Sequence, residues 1–338
     1  MNAHRAVDWL WRSRKVPARL GRGLLLPFAG LYRLGMESRA ALYRAGWLET
    51  HRLGLPAVAV GNLSVGGAGK TPLASWIAAQ FAARGVKPGI LLRGYGGGDE
   101  ALVHGRLVPE AVVVADPDRL AGARRAAEAG AQVLVLDDAY QRIDVARDLN
   151  VAVVSAEHAR YAPWPLPAGP WRETWGALSR ADLVVVTRRR AGPADAARLA
   201  ERVTRRFPST PVAVAYLAPT GLVGLVSGRG QPLSSLAGKQ VVAAAGIGDP
   251  ASFAVQIRAS GAHVQLVAYQ DHHAYEDADL ARLARAAGEA DYVVVTEKDA
   301  VKLRHRWPAA VREPLVAVLT VTWESNADAV TRLLARIP

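Results

Sequence analysis

The chain contains no cysteine, which excludes disulfides and thiolate metal sites and suits a reducing compartment. It is also short of acids: Lys and Arg number 42 against 30 Asp and Glu, a formal net charge of +12. Such an excess favours polyanions, anionic membrane surfaces or phosphorylated substrates. A secretory signal is not expected, because no clean apolar core with a small-residue cleavage site follows the N-terminal charges. Within residues 7–48 the longest uncharged run is Gly23 to Tyr32, about half of the roughly 20 residues a membrane-spanning helix needs. Repeats and low-complexity tracts are missing as well. The 338 residues are 51% apolar, too many for a disordered chain and enough for a substantial core in one large or two ordinary domains.

The basic excess is uneven. Residues 1–50 hold nine Arg and Lys against Asp8, Glu37 and Glu49, a net of +6 and half the total. Leu24, Phe28, Leu31 and Tyr32, then Leu42, Tyr43 and Trp47, recur near helical spacing among those charges. Basic side chains beside Trp, Phe and Leu describe an amphipathic helical region lying in a membrane interface; the alternative is an ordinary amphipathic helix covering a core.

The most informative stretch runs from Val58 to Pro72. A β-branched apolar run enters a glycine-rich turn, then Gly69-Lys70-Thr71, then a helical pattern over 73–84. That is the strand, loop and helix of a phosphate-binding P-loop. Glycines let the backbone curl so that successive N–H groups face phosphate oxygens, and the helix N-terminus adds partial positive charge. Asn62, Ser64, Gly66, Gly67, Ala68, Gly69, Lys70, Thr71 and Pro72 are therefore the candidate nucleotide-binding residues. Lys70 would reach the β/γ-phosphates and the Thr71 hydroxyl would sit on Mg²⁺. Pro72 suits the first helical turn. The strict pattern wants glycine where Ser64 stands.

From residue 57 the chain alternates short apolar strands with helices. Strands are expected at 57–60, 89–92, 111–115, 132–136, 150–154 and 183–187, and helices at 118–129 and 193–206 besides 73–84. This rhythm predicts a P-loop NTPase-like parallel sheet flanked by helices, with ligand groups at the carboxyl ends of the strands. Pro219-Thr220-Gly221 and Ser227-Gly228-Arg229-Gly230 interrupt it, and a boundary is expected around 210–225. A smaller second α/β domain follows, with strands near 240–245, 263–268, 291–296 and 315–321 and helices near 250–260 and 277–289. The expected division is an amphipathic region at 1–50, a P-loop domain at 51–215, the second domain at 216–322, and a C-terminal helix at 323–338 packing back on the first.

Several polar clusters carry candidate chemistry. Asp137-Asp138 end an apolar strand, where a P-loop fold places its Mg²⁺-holding acids; an acidic turn capping the next helix is the plainer reading. Arg93-Gly94-Tyr95-Gly96-Gly97-Gly98-Asp99-Glu100 is a glycine-rich loop able to bring an acid near a ligand. Asp271-His272-His273 suits metal binding, acid–base work or a purely structural role. Leu166 to Glu173 is a rigid Pro/Gly loop that would hold Glu173 near the phosphates. Thr296-Glu297-Lys298-Asp299 is near the guanine-reading motif of GTPases, but its lysine is one position late.

These motifs in this order resemble the tetraacyldisaccharide 4′-kinases, the lipid A 4′-kinases of Gram-negative bacteria. The resemblance rests on Val60 to Pro72, Arg93 to Glu100, Asp137-Asp138, Leu166 to Glu173, Gly246-Ile247-Gly248-Asp249-Pro250, Asp271-His272-His273 and Thr296 to Lys302. It implies ATP- and Mg²⁺-dependent phosphorylation of the 4′-hydroxyl of a lipid-linked disaccharide. The place implied is the cytoplasmic side of the inner membrane, peripherally bound to its anionic surface, with the active site between two α/β domains. By the same resemblance Asp99 is the catalytic aspartate, paired with His272. Lys70 and Arg119 are the catalytic cations, and Thr71, Asp137, Asp138 and Glu173 surround the metal and nucleotide. Three departures stand out: Arg142 replaces a histidine, Trp171 replaces a leucine, and the segment between Tyr95 and Asp99 is short. Rival readings are a P-loop ligase acting on a soluble substrate and a nucleic-acid-binding ATPase using residues 1–50 and Arg188-Arg189-Arg190. No recognition module accompanies that charge, so no nucleic acid is expected, and no obligatory protein partner is inferred.

Overall fold

The computed structural model describes residues 3–13, 15–94, 98–160 and 163–337, so the Tyr95-Gly96-Gly97 turn quoted above lies outside the described residues. Two helices come first, α1 (Ala3–Arg12) and α2 (Val16–Arg44). Pro17 opens α2 in the first turn, where a missing N–H costs no intrahelical bond. Along α2, Leu20, Leu24, Phe28, Leu31 and Leu34 are exposed, each by 60% or more. No helix among the described residues is long and apolar enough to cross a membrane.

The P-loop half is built from β1 (Ala57–Asn62), α3 (Lys70–Ala83), β2 (Pro88–Leu92), α4 (Asp99–Leu107), β3 (Val112–Ala115), α5 (Arg119–Glu128), β4 (Val133–Leu136), β5 (Leu149–Ser155), β6 (Leu183–Arg188) and α6 (Pro193–Arg206). Then come β7 (Val212–Gly224) and the short β8 (Gly230–Pro232). The second half contains β9 (Gln240–Ala245), α7 (Pro250–Arg258), β10 (His263–Ala268), α8 (Asp277–Glu289), β11 (Tyr292–Val295), α9 (Glu297–Leu303) and β12 (Leu315–Ser325), and α10 (Ala327–Leu334) closes the chain.

Among the described residues twelve strands join one sheet, ordered β10-β9-β11-β12-β7-β6-β5-β1-β4-β2-β3, with β8 on β7. Its pairings are parallel except those of β7 with β12 and with β8. Every residue of β1, β4 and β5 is buried, as expected of Val- and Leu-rich strands covered on both faces. On one face Leu73, Ile77 and Phe81 of α3 share a core with Val330 and Leu334 of α10. On the other, α6 contributes Leu199 and Val203. Fully burying such a side chain is worth about 1.5–3 kcal/mol.

Three elements differ from the sequence expectation. Gly98 is the N-cap of α4, so Asp99 and Glu100 form a helical first turn rather than a loop tip. The Thr296 segment caps a helix: the Thr296 hydroxyl accepts from the Asp299 N–H and donates to its carboxylate. The stretch interrupted by Pro219 and Gly221 is a thirteen-residue strand, β7. Pro219 faces Leu319 next to a register shift in the β7–β12 ladder, a position where a residue lacking an N–H is tolerated.

Candidate active site

The phosphate side of the site is a backbone structure at the carboxyl end of β1. Gly66 has φ 113° and Gly69 φ 90°, values that glycine alone adopts without strain. At Gly69 an added Cβ would also lie 2.2 Å from Leu217 Cδ1. Gly69 immediately precedes α3, so the free N–H groups of the helix start face the loop. Side chains hold the curl from outside. Asn62 Nδ2 donates to Ser64 O at 2.6 Å, Thr187 Oγ1 to Ala68 O at 2.7 Å and Gln141 Nε2 to Asn62 O at 2.7 Å. The 166–173 loop braces the same turn through Val65 N to Pro170 O and Arg172 N to Leu63 O, both 2.7 Å.

Asp137 and Asp138 follow β4 and differ in kind. Asp137 is fully covered; its Oδ2 lies 3.1 Å from His104 Nε2, and His104 Nδ1 lies 2.8 Å from the Ser75 hydroxyl. Burial alone would raise the Asp137 carboxyl, but the His104 bond and charge, Lys70 and the Thr71 hydroxyl together hold it below the usual carboxylate value. Asp138, at φ 51°, stands half-open to the cleft. Lys70 Nζ is 3.5 Å from it and Arg172 Nη1 3.1 Å. Lys70, Thr71, Asp137 and Asp138 thus come together.

Asp99 faces them from the first turn of α4, 7% exposed. His272 Nδ1 lies 3.4 Å from Asp99 Oδ2, and Lys302 Nζ lies 2.6 Å from the same oxygen. His272 has φ 59°, unusual for a side-chain-bearing residue. One position along α4, Glu100 meets Lys298 at 3.1 Å. Asp271-His272-His273 forms no metal cluster among the described residues: His273 Nε2 is engaged by Asp279 at 2.8 Å. Asp299, wholly buried, accepts from Gly246 N and the Tyr275 hydroxyl, and burial raises its carboxyl.

Two residues expected at the phosphates are engaged by other partners. Glu173 is ion-paired to Arg180 at 2.6 Å and lines a separate cavity of about 540 Å³ between α2 and residues 165–180. Arg119 is 2% exposed and donates to the backbone carbonyls of Asp116 and Asp137. Burial, with Arg142 nearby, lowers it to about 10, and its Nε finds no partner among the described residues. Its guanidinium fixes the β4 turn from behind. Arg142 itself forks onto Asp144. Lys302, Lys298, Arg172 and His104 received no role from the sequence. Only the lysines left a signal: 298 and 302 are one helical turn apart and share a face.

A cleft of about 360 Å³ connects these groups. One wall carries Gly66 to Thr71 with Asp137 and Asp138; the other carries His272, Lys298 and Glu297. Burial raises Glu297 to about 7, partly offset by Arg106. A P-loop sharing a cleft with an imidazole that is paired to a carboxylate can hold a triphosphate and deprotonate a hydroxyl aimed at its end.

The tetraacyldisaccharide-1-P 4′-kinase family model matches residues 22–338. A tetraacyldisaccharide 4′-kinase of Anaeromyxobacter sp. (strain K) is 38% identical over 347 residues, covering 94% of this chain and 90% of that protein. One from Pelobacter propionicus is 36% identical over 334 residues, covering 90% of each. Among solved structures, LpxK from Aquifex aeolicus in complex with ATP superposes with a TM-score of 0.72 at 26% identity, covering 94% of this chain and 99% of that one. With the family model spanning nearly the whole chain and relatives this similar along nine-tenths of it, the chain belongs to the tetraacyldisaccharide 4′-kinase family.

Proposed function

We propose that this chain transfers the γ-phosphoryl group of ATP to the 4′-hydroxyl of tetraacyldisaccharide 1-phosphate, the lipid A precursor, giving lipid IVA. The observation that carries the reading is the cleft shared by the P-loop and His272, whose ring pairs with Asp99. As the 4′-oxygen bonds to phosphorus, the bond from phosphorus to the ADP oxygen breaks and the hydroxyl proton passes to Asp99. His272 orients Asp99, while Lys70 and the loop N–H groups from Gly66 to Thr71 hold the phosphates. The Thr71 hydroxyl with Asp138 and Asp137 is a hard-oxygen set beside Lys70, which fits Mg²⁺ sharing its remaining positions with phosphate and water. Held by Thr71, Asp137 and Asp138, Mg²⁺ would offset the negative charge of the phosphate oxygens. Glu173 and Arg119 support the site from behind.

The acceptor's greasy part suits the α2 side. Arg33, Arg44, Arg172 and Arg180 line the 540 Å³ cavity together with Tyr32 and Met36, a combination for anionic groups on an apolar stem. The exposed Leu20, Leu24, Phe28, Leu31 and Leu34 of α2 would lie in the cytoplasmic face of the inner membrane, with the basic residues on its anionic lipids. In this reading the units are residues 51–215 and 216–322, with the 1–50 region at the membrane.

The test is transfer from labelled ATP to tetraacyldisaccharide 1-phosphate, with a water-soluble sugar as control; label on the sugar alone defeats the reading. Replacing Leu24, Phe28 and Leu31 by Glu should shift the protein from pelleted anionic vesicles to the supernatant. Unchanged pelleting defeats the membrane assignment.

A further inference from the structure

We infer that Lys302 is a positioning residue of this site: its ammonium fixes the Asp99 carboxylate and the His272 turn in one arrangement. The inference rests on the phosphoryl-transfer reading. Lys302 Nζ lies 2.6 Å from Asp99 Oδ2 and 3.0 Å from His273 O. One cation therefore ties α4, in the P-loop half, to the turn after β10 in the second half. His272 reaches Asp99 at the longer 3.4 Å and from a strained φ of 59°, a conformation that persists only where its surroundings enforce it. The Lys302 bond to the next residue's carbonyl is such an enforcement. The side chains of Lys302 and Asp99 are 14% and 10% exposed, so water screens their attraction little.

Among the described residues, both of these contacts on Asp99 fall on Oδ2. Oδ1 is then the oxygen that takes the acceptor proton, while Lys302 keeps its own. The charged and titratable groups around Asp99 come from α9 (Lys298, Lys302), from the turn after β10 (Asp271, His272, His273) and from α4 itself (Glu100). The strands packed against α4, β2 and β3, are uncharged, and α3 meets it at the Ser75–His104 bond.

The experiment measures kcat and KM for the full chain in mixed micelles, with ATP and tetraacyldisaccharide 1-phosphate. Lys302→Met should lower kcat roughly tenfold to a hundredfold and leave the KM for ATP unchanged. Lys302→Arg should restore most of the loss, and Lys239→Met, the same change at an exposed lysine before β9, should leave kcat in place. An unchanged kcat in Lys302→Met, or an equal loss in Lys239→Met, overturns the inference. Should Lys302→Met not fold, Lys302→Gln carries the same comparison while keeping a donor for His273 O. The ¹⁵N imidazole signals of His272 read the arrangement with no acceptor present, and should move in Lys302→Met and return in Lys302→Arg. That movement in a protein that phosphorylates no disaccharide would sink the reaction and leave Lys302 in its role. Transfer with unmoved His272 signals would do the reverse.

Discussion

The two walls of the cleft are made of different material. The phosphate wall is backbone: eleven consecutive residues from Asn62 to Pro72, curled by glycines at φ 113° and 90° and held by short bonds to carbonyls. The opposite wall is side chain: His272, Lys298 and Glu297 line it, and His272 and Lys302 meet at one carboxylate oxygen of Asp99, the three arriving from separate segments. A backbone wall is local and tolerates distant change. A side-chain wall depends on the two halves of the molecule being docked.

Substitutions can break that contrast. Lys70→Ala removes the lysine charge of the phosphate loop and should cut kcat roughly a thousandfold while the fold survives, read by turnover and circular dichroism. Asp99→Ala in the other wall should cost roughly a hundredfold or more; normal turnover would remove Asp99 as the base. Glu297 tests burial in the side-chain wall through pH. Its folded carboxyl sits at about 7 against an ordinary 4.5, so between those values the folded chain holds a proton that the unfolded chain has lost. Stability should therefore fall as pH rises from 4.5 to 7, by an amount on the order of 2–4 kcal/mol, and level off above. Urea midpoints across that range check it, and Glu297→Gln should flatten the slope. Gly69→Ala should be the mildest, at about 1–2 kcal/mol, because Leu217 can turn aside while the left-handed backbone cannot be relieved.

The same contrast explains what could be read from the chain. β1, the loop and α3 are contiguous, and glycine spacing, Lys70-Thr71 and an apolar run announce them. Most strands of both halves are legible for the same reason, since continuous Val and Leu runs have to be buried. The start of α4 is hard to see in the sequence, because a glycine-rich lead through Gly98 reads as a loop and the polar Asp99 and His104 are buried against partners far along the chain. β7 was read as a break because Pro219 and Gly221 are breakers locally, while β12 supplies a partner along nearly its whole length. A lysine such as Lys302 reads as a solvated helix face until α4 is laid against α9. Nothing local to Glu173 foretells its pairing with Arg180.

The segment from Pro165 to Arg172 touches three parts of the molecule at once. Pro167 accepts from the Trp11 indole of α1, Pro170 accepts from Val65 of the phosphate turn, and the Arg172 guanidinium reaches Asp138. Among the described residues, two hydrogen bonds and a few covalent links thus lead from the first helix to the phosphate turn. A force or displacement applied at α1 is delivered to the nucleotide's doorstep by a strut, with little slack to absorb it. How the protein is seated through its N-terminal helices and how it grips a triphosphate are, mechanically, one setting.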